Sequence, residues 1–296
     1  MNYAEIGVMI IAILLLGAVI FEIYRELHSF CVTEYEVTSS GLKGADTQIN
    51  VVFLSDLHSR SYGKENCRLL RAVQKAQPDL ILIGGDMLIG KGSADHAATA
   101  DFVSRLPAIA PVYYALGNHE ARLKDDPEHY GNTYQNYKKK LEEAGVTFLE
   151  NDTVSIICKK QKLLLSGLEL PITTYKKFRK SSVTARTLEN CLTKPRGTVS
   201  DYYEILMAHN PAYMDAYLDW GADLILSGHL HGGLVRMPGI GGIVTPQGFF
   251  FPKYSGEMTR KGNQTVIVSR GLGTHTINIR LFNMPELIVI HLKKSL

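Results

Sequence analysis

Five times along this chain a short run of apolar residues ends in a side chain able to ligate a metal. Val51-Val52-Phe53-Leu54 leads into Ser55-Asp56-Leu57-His58, and Leu80-Ile81-Leu82-Ile83 into Gly84-Gly85-Asp86. The pattern recurs at Val112-Tyr113-Tyr114-Ala115-Leu116 before Gly117-Asn118-His119-Glu120, at Ile205-Leu206-Met207-Ala208 before His209-Asn210, and at Leu224-Ile225-Leu226 before Ser227-Gly228-His229-Leu230-His231. Runs that are apolar at every position, rather than at every second one, predict strands covered on both faces, as in α/β proteins. In such sheets ligands bind beyond the carboxyl ends of the strands. Five strand ends would therefore carry Asp, His and Asn to one place.

The segments between the runs supply the crossovers. Residues 64–77 place Cys67, Leu70, Val73 and Ala76 at helical spacing and stop before Pro78, and residues 94–106 predict a second helix before Pro107. This βαβαβ order implies a parallel sheet with right-handed connections. Residues 134–144 read as a helix closed by Gly145, and residues 154–157 and 163–168 as a strand pair. Asn210-Pro211 has the signature of a helix start, with Gly221 closing that helix.

Carboxylate, imidazole and amide oxygen are all ligands for divalent first-row metals, and a mixed set with a spare carboxylate can hold two ions that share a bridge. No thiolate takes part, which speaks against a closed structural zinc site. Taken in order, the blocks Asp-x-His, Gly-Asp, Gly-Asn-His-Glu, a lone His and Gly-His-x-His resemble the calcineurin-like metallophosphoesterases, from about residue 49 to the C-terminal end. Val268-Ser269-Arg270-Gly271-Leu272-Gly273 and Ile279-Arg280-Leu281-Phe282-Asn283 are further similar to a membrane-associated bacterial branch that includes UDP-diacylglucosamine pyrophosphohydrolase-like enzymes.

The resemblance implies a four-layer α/β/β/α sandwich holding two divalent metal ions, with manganese favoured and iron, zinc or magnesium compatible with the ligand set. It implies that Asp56, His58 and His231 hold one ion, that Asn118, His209 and His229 hold the other, and that Asp86 bridges them. The expected reaction is hydrolysis of a phosphodiester or pyrophosphate bond by metal-bound hydroxide, with His119 as general acid. Glu120 either steadies the motif turn or lies on the surface; Arg270 and Arg280 either approach substrate phosphate or form structural ion pairs. His28, His96, His129, His275 and His291 are read as structural. After Gly85-Asp86 comes Met87-Leu88-Ile89-Gly90, without the Asp-Arg of the phosphoprotein phosphatase branch. That departure argues against phosphoprotein substrates.

Residues 6–21 form an unbroken apolar run, close to the roughly 17–25 residues of a spanning helix. Glu5, with no Lys or Arg before the run and no small-residue cleavage site after it, argues for a retained anchor over a cleaved signal peptide. Arg25 and Lys43 follow the run, so a cytoplasmic catalytic domain on a single-pass protein of the cell membrane is expected. The organisation is then an anchor over residues 1–30, a juxtamembrane linker over 31–48, and a catalytic domain over 49–296. Residues 169–200 form a basic insertion or cap within that domain, with Lys176, Lys177, Arg179, Lys180, Arg186, Lys194 and Arg196.

Together with the apolar residues after Asp86, the anchor points to a lipid-linked or nucleotide-sugar lipid substrate at the membrane. A soluble nucleotide is the alternative substrate, and a non-catalytic metal-binding scaffold the alternative role. A net charge of +3 does not mark nucleic acid as the main partner. Cys31, Cys67, Cys158 and Cys191 are widely spaced with no C-x-x-C pair, as in a reducing compartment. Phe249-Phe250-Phe251 are expected either to plug the core or to meet acyl chains.

Overall fold

The computed structural model describes residues 2–295 apart from 44–47, 92–93, 177–180, 193–200, 234, 238–239, 246–247, 249 and 275–277. Two six-stranded sheets carry the architecture. In spatial order the first contains Cys31–Ser39, Glu286–Lys294, Ile49–Leu54, Leu80–Ile83, Val112–Ala115 and Val146–Leu149; the second contains Glu257–Lys261, Gln264–Val268, Leu224–Ser227, Tyr203–Ala208, Gln161–Leu168 and Asp152–Cys158. Pairing is parallel across the central strands of both sheets, and antiparallel where Glu286–Lys294 meets Ile49–Leu54 and in the outer pairs of the second sheet.

The apolar runs are continuous because each strand contributes to two cores. Alternate residues Val52, Leu54, Ile81 and Ile83 face the helices on the outside of the first sheet. Val51, Phe53, Leu80 and Leu82 meet Leu163, Leu165, Ile205, Met207, Leu224 and Leu226 of the second sheet. Leu206, Ala208 and Ile225 pack outward against Leu188, Met214 and Tyr217 of the helices covering the second sheet. Three cores between helix, sheet, sheet and helix make four layers.

The residues between strands fold as their spacing suggests. Cys67–Lys75 is a helix preceded by a tight turn over Lys64–Asn66, and it buries Leu69, Leu70 and Val73. Ala97–Ser104, Thr133–Glu143 and Met214–Trp220 are helices, the last closed by Gly221 at φ 101°. Asp152–Cys158 and Gln161–Leu168 form an antiparallel hairpin.

One expectation is corrected. Cys31–Ser39, read as part of a linker, is an edge strand that pairs in parallel with Glu286–Lys294. Its alternating burial, with Val37 inside and Glu34 and Glu36 outside, fits a strand whose partner lies at the far end of the sequence, where local patterning cannot see it. In the basic stretch, Leu170, Leu188 and Leu192 enter the third core, so its described part is anchored as well as solvated. Lys177, Arg179, Lys180, Lys194 and Arg196 lie outside the described residues.

Tyr3–His28 forms one helix, long and apolar enough to cross a membrane by length and composition, and none of its apolar window is buried against the protein. Asn2 and Glu5 build a reciprocal cap at its start. At its other end Glu26 and Leu27 are buried.

Candidate metal centre

Each candidate ligand sits just beyond a strand: Asp56 and His58 after Ile49–Leu54, Asp86 after Leu80–Ile83, Asn118 after Val112–Ala115, His209 after Tyr203–Ala208, and His229 and His231 after Leu224–Ser227. Three groups of side chains converge closely enough to hold an ion: Asp56 with His58 and His231; His58 with Asp86 and His119; and Asp86 with His209 and His229. Asp86 belongs to two of these groups and lies between the others. The Asp86 carboxylate is 3.1 Å from His209 Nε2 and 3.8 Å from His58 Nε2, and Asp56 Oδ1 is 3.5 Å from His231 Nε2.

Backbone geometry brings these side chains together at a cost. Asp56, His58, Asp86, His229 and His231 all adopt left-handed φ values between 49° and 68°. Asp and His tolerate that region better than β-branched residues, but each still gives up about 1 kcal/mol or more. Glycines make room around the two carboxylates. A Cβ at Gly117 would fall on Asp86 Oδ1 and the Asp86 backbone nitrogen, and one at Gly228 on Asp56 Oδ2. The absence of a side chain at Gly117 and Gly228 is thus dictated by the carboxylates packed against them.

The carboxylates are also fixed by hydrogen bonds. Ser55 Oγ donates to Asp56 Oδ2 at 2.6 Å, and the His229 N–H donates to the same carboxylate. The His119 N–H donates to Asp86 Oδ1 at 2.8 Å. Glu120 is fully buried, so its surface alternative is overturned: its carboxylate accepts from the N–H groups of Asp86, Leu88 and Gly117 and from Tyr114 Oη, and clamps the Asp86 loop to the start of Asn118–Asp125.

The donor set fits a divalent cation. His209 Nδ1 lies 2.7 Å from the Gly84 carbonyl, an acceptor only, so that nitrogen carries the ring proton and Nε2 is left facing Asp86 Oδ2. His231 is oriented in the same way by the Gly273 carbonyl, 3.2 Å from its Nδ1, and its Nε2 lies 3.0 Å from His58 Nε2. Among the described residues, buried Asn118 Oδ1 accepts no hydrogen bond, and His209 Nε2 makes none of acceptable geometry. A buried amide oxygen without a donor is costly, and a cation is the group that would satisfy it together with the imidazoles and carboxylates.

Electrostatics point the same way. Burial raises the Asp56 carboxyl to about 6, against the pull of His209. Burial acts upward on Asp86 too, but the imidazoles of His209, His119 and His58 hold it well below the usual carboxylate range. Burial disfavours a charged His209, yet Asp86 and Asp56 outweigh it and raise it to about 10, which marks the site as one that favours positive charge. His231 is lowered far below its ordinary value by burial, then by His58 and Arg280. A neutral imidazole is the form that ligates.

Arg270 and Arg280 resolve as structural. Arg270 pairs with Glu286 at 2.5 Å, and Arg280 is buried and donates to the carbonyls of Arg270, Gly273 and Asn283, closing the loop behind His231. Sequence reading missed Tyr175, whose ring centroid is 5.1 Å from that of His229. It lies in an irregular polar stretch that carries no periodic signal. The bond between Glu26 and Asn283 was missed for a different reason: it joins the two ends of the chain.

Two stacked sheets with Asp, His and Asn gathered at their strand ends define a metal-dependent phosphoesterase. The family described as calcineurin-like phosphoesterase matches residues 49–233, more than half of the chain, and the protein belongs to that family as a phosphoester hydrolase. The chain is 27% identical over 247 residues to the phosphodiesterase YaeI of Escherichia coli (strain K12), covering 82% of this chain and 81% of that protein. It is 26% identical over 279 residues to the uncharacterized metallophosphoesterase YkuE of Bacillus subtilis (strain 168), covering 92% and 88%. Among solved structures, the phosphopantetheinyl hydrolase PptH of Mycobacterium tuberculosis aligns with a TM-score of 0.45 at 13% identity, over 76% of this chain and 90% of that one.

Proposed function

We propose that this protein is a membrane-anchored hydrolase with two metal ions, which cleaves a phosphodiester or pyrophosphate bond in a lipid-linked or nucleotide-sugar lipid substrate. The observation that supports the reading is Asp86, whose carboxylate lies 3.8 Å from His58 and 3.1 Å from His209 and gathers with His58 in one group and with His209 and His229 in another. Asp56, His58 and His231 are read as one ligand set and Asn118, His209 and His229 as the other. Those two sets are the proposed ligands, and Asp86 is their proposed bridge. Two divalent cations held there, with manganese favoured, would lower the pKa of water and neutralise charge on phosphate oxygens. A phosphodiester bond also accords with the name of the Escherichia coli relative.

His119 is the proposed general acid. The Gly90 N–H lies 2.6 Å from its Nδ1 and can only donate to it, so the proton of the neutral ring resides on Nε2. The ring stands edge-on to His58 at 4.8 Å, within reach of a leaving oxygen at the metal side. Tyr175 walls the His229 side and would exclude water there. The helix Tyr3–His28 is the proposed retained single-pass anchor, with Arg25 and Lys43 placing the catalytic domain on the cytoplasmic side. That anchor confines the centre to the membrane surface, where lipid-linked substrates reside.

The test assays the full chain with manganese against a phosphomonoester, a bis-aryl phosphodiester and a nucleotide-sugar diphosphate. Asp86→Ala should abolish turnover, and His119→Gln should bind metal while losing roughly 100-fold or more in kcat. Turnover of the phosphomonoester alone would overturn the bond assignment. Unchanged turnover in His119→Gln would remove the acid role. Tight metal binding with no turnover of these compounds or of a lipid extract would favour the scaffold.

A further inference from the structure

An open cleft of ≈ 400 Å³ lies outside the metal centre, with Met237, Ile240 and Phe282 on its rim and Arg236 and Arg270 in its floor. Two apolar side chains of the rim face solvent: Ile240 is 60% exposed and Phe282 57%. Phe250 and Phe251 extend this surface, because Val244 bridges to Phe250, the Phe251 N–H donates to the Ile243 carbonyl, and Val235 bridges to Leu281. Both aromatic side chains point out of the core, 68% and 63% exposed, which decides against a plug; Phe249 lies outside the described residues. Each arginine of the floor already faces a carboxylate, Arg236 with Glu257 and Arg270 with Glu286, so the cleft carries little net charge.

What lies next to this patch identifies its partner. The Glu26 carboxylate, in the last turn of the apolar helix, accepts the Asn283 N–H at 2.9 Å, one residue from Phe282. Arg270 Nη2 donates to Thr33 Oγ1 at 3.1 Å, in the strand that follows the helix. The exposed apolar rim therefore sits where the helix meets the domain. Any bilayer that receives the helix lies beside it.

We propose that Met237, Ile240, Phe250, Phe251 and Phe282 form a second membrane contact that dips into the headgroup–acyl boundary of a lipid bilayer beside the anchor. Aromatic and aliphatic side chains suit that depth, and scattered singly they would need no explanation, but exposed together on adjoining hydrogen-bonded segments they do. The contact also orients the metal centre. Asn283 Nδ2 donates to the carbonyls of His231 at 2.7 Å and Gly233 at 2.5 Å, so the backbone that carries Phe282 is bonded to the loop that carries a candidate ligand. This inference rests on the anchor reading above.

The test places the full chain in phospholipid vesicles whose acyl chains are brominated near the headgroup, and reads tryptophan quenching against the constant background of buried Trp220. Phe21→Trp reports the anchor, Phe282→Trp and Ile240→Trp report the rim, and Ile157→Trp, 76% exposed on the opposite edge of the second sheet, reports solvent. The rim positions should reach at least about half of the quenching at Phe21→Trp, as an interfacial depth requires, while Ile157→Trp stays unquenched. Rim positions quenched no more than Ile157→Trp overturn the contact, and with Phe21→Trp quenched the anchor survives. Quenching at the rim with none at Phe21→Trp upholds the contact and removes the anchor. A rim protected from solvent but not quenched by lipid would indicate a protein partner and overturn the proposal.

Discussion

Gly117→Ala separates crowding at the carboxylates from any effect on the backbone. Gly117 has φ −98° and ψ −178°, an extended conformation open to any residue, so alanine pays no conformational strain. Its Cβ would nevertheless fall well inside 3.0 Å of Asp86 Oδ1, the Asp86 backbone nitrogen and Asp86 Cγ, where ordinary contact begins at 3.4 Å. Relief requires the Asp86 loop to move by about 1 Å, because neither rigid backbone segment can yield by a rotamer change. Overpacking of this kind costs about 1–3 kcal/mol. Metal ligands must hold position to about 0.2 Å, so activity should fall further than stability, by about 100-fold or more. Gly221→Ala is the control. Its φ of 101° makes alanine strained, but nothing lies within 4 Å, so stability should drop by about 1–2 kcal/mol with turnover intact. Urea denaturation and manganese-dependent hydrolysis of a bis-aryl phosphodiester measure both variants. Gly117→Ala turning over at more than a third of the wild-type rate would refute the argument that Asp86 packs on this residue.

Three further outcomes follow from the same geometry. Glu120→Ala leaves three buried N–H groups and Tyr114 Oη without their acceptor and should lose about 3–5 kcal/mol in urea, whereas Glu120→Gln, which retains an acceptor oxygen, should lose less. Glu150 is buried enough for desolvation to push its carboxyl up, but Lys124 at 2.9 Å, Lys138 at 2.5 Å and Tyr134 at 2.7 Å bring it down from 4.5 to about 2. Its contribution is therefore full above about pH 4.5 and is lost as pH falls towards 2; the Tm gap between wild type and Glu150→Gln should shrink between pH 6 and pH 3, and a gap independent of pH would contradict this. Manganese at 100 times its Kd should stabilise the protein by about 2.7 kcal/mol, or roughly 5–10 °C in Tm, and Asp86→Asn should abolish most of that shift in a calorimetric scan.

Much of the fold is legible in the sequence because its signals are local. A strand buried on both faces must be apolar at every position, and the runs ending at Leu54, Ile83, Ala115, Ala208 and Ser227 say so directly. Helix ends announce themselves through Gly145, Gly221 and Pro211, whose backbone preferences act within a turn. The order of Asp, His and Asn beyond those strands marks the chemistry, since a parallel sheet gathers its carboxyl ends whatever the loops do.

Contacts between distant residues had to wait for the tertiary structure. Cys31–Ser39 is a strand only because Glu286–Lys294 lies beside it, and its alternating pattern alone does not reveal a partner more than 250 residues away. Glu120 reads as an ordinary helix-start carboxylate until the Asp86 loop is seen to hang its N–H groups on it. Arg280 offers the same charge to a phosphate as to a row of carbonyls, and only burial behind His231 decides between them. The sequence determines which residues can ligate and which segments must be buried, because those are properties of side chains and of short-range backbone sterics. Which side chains meet, at what distance and on which face of the molecule depends on packing two sheets and both ends of the chain together, and no local pattern encodes that.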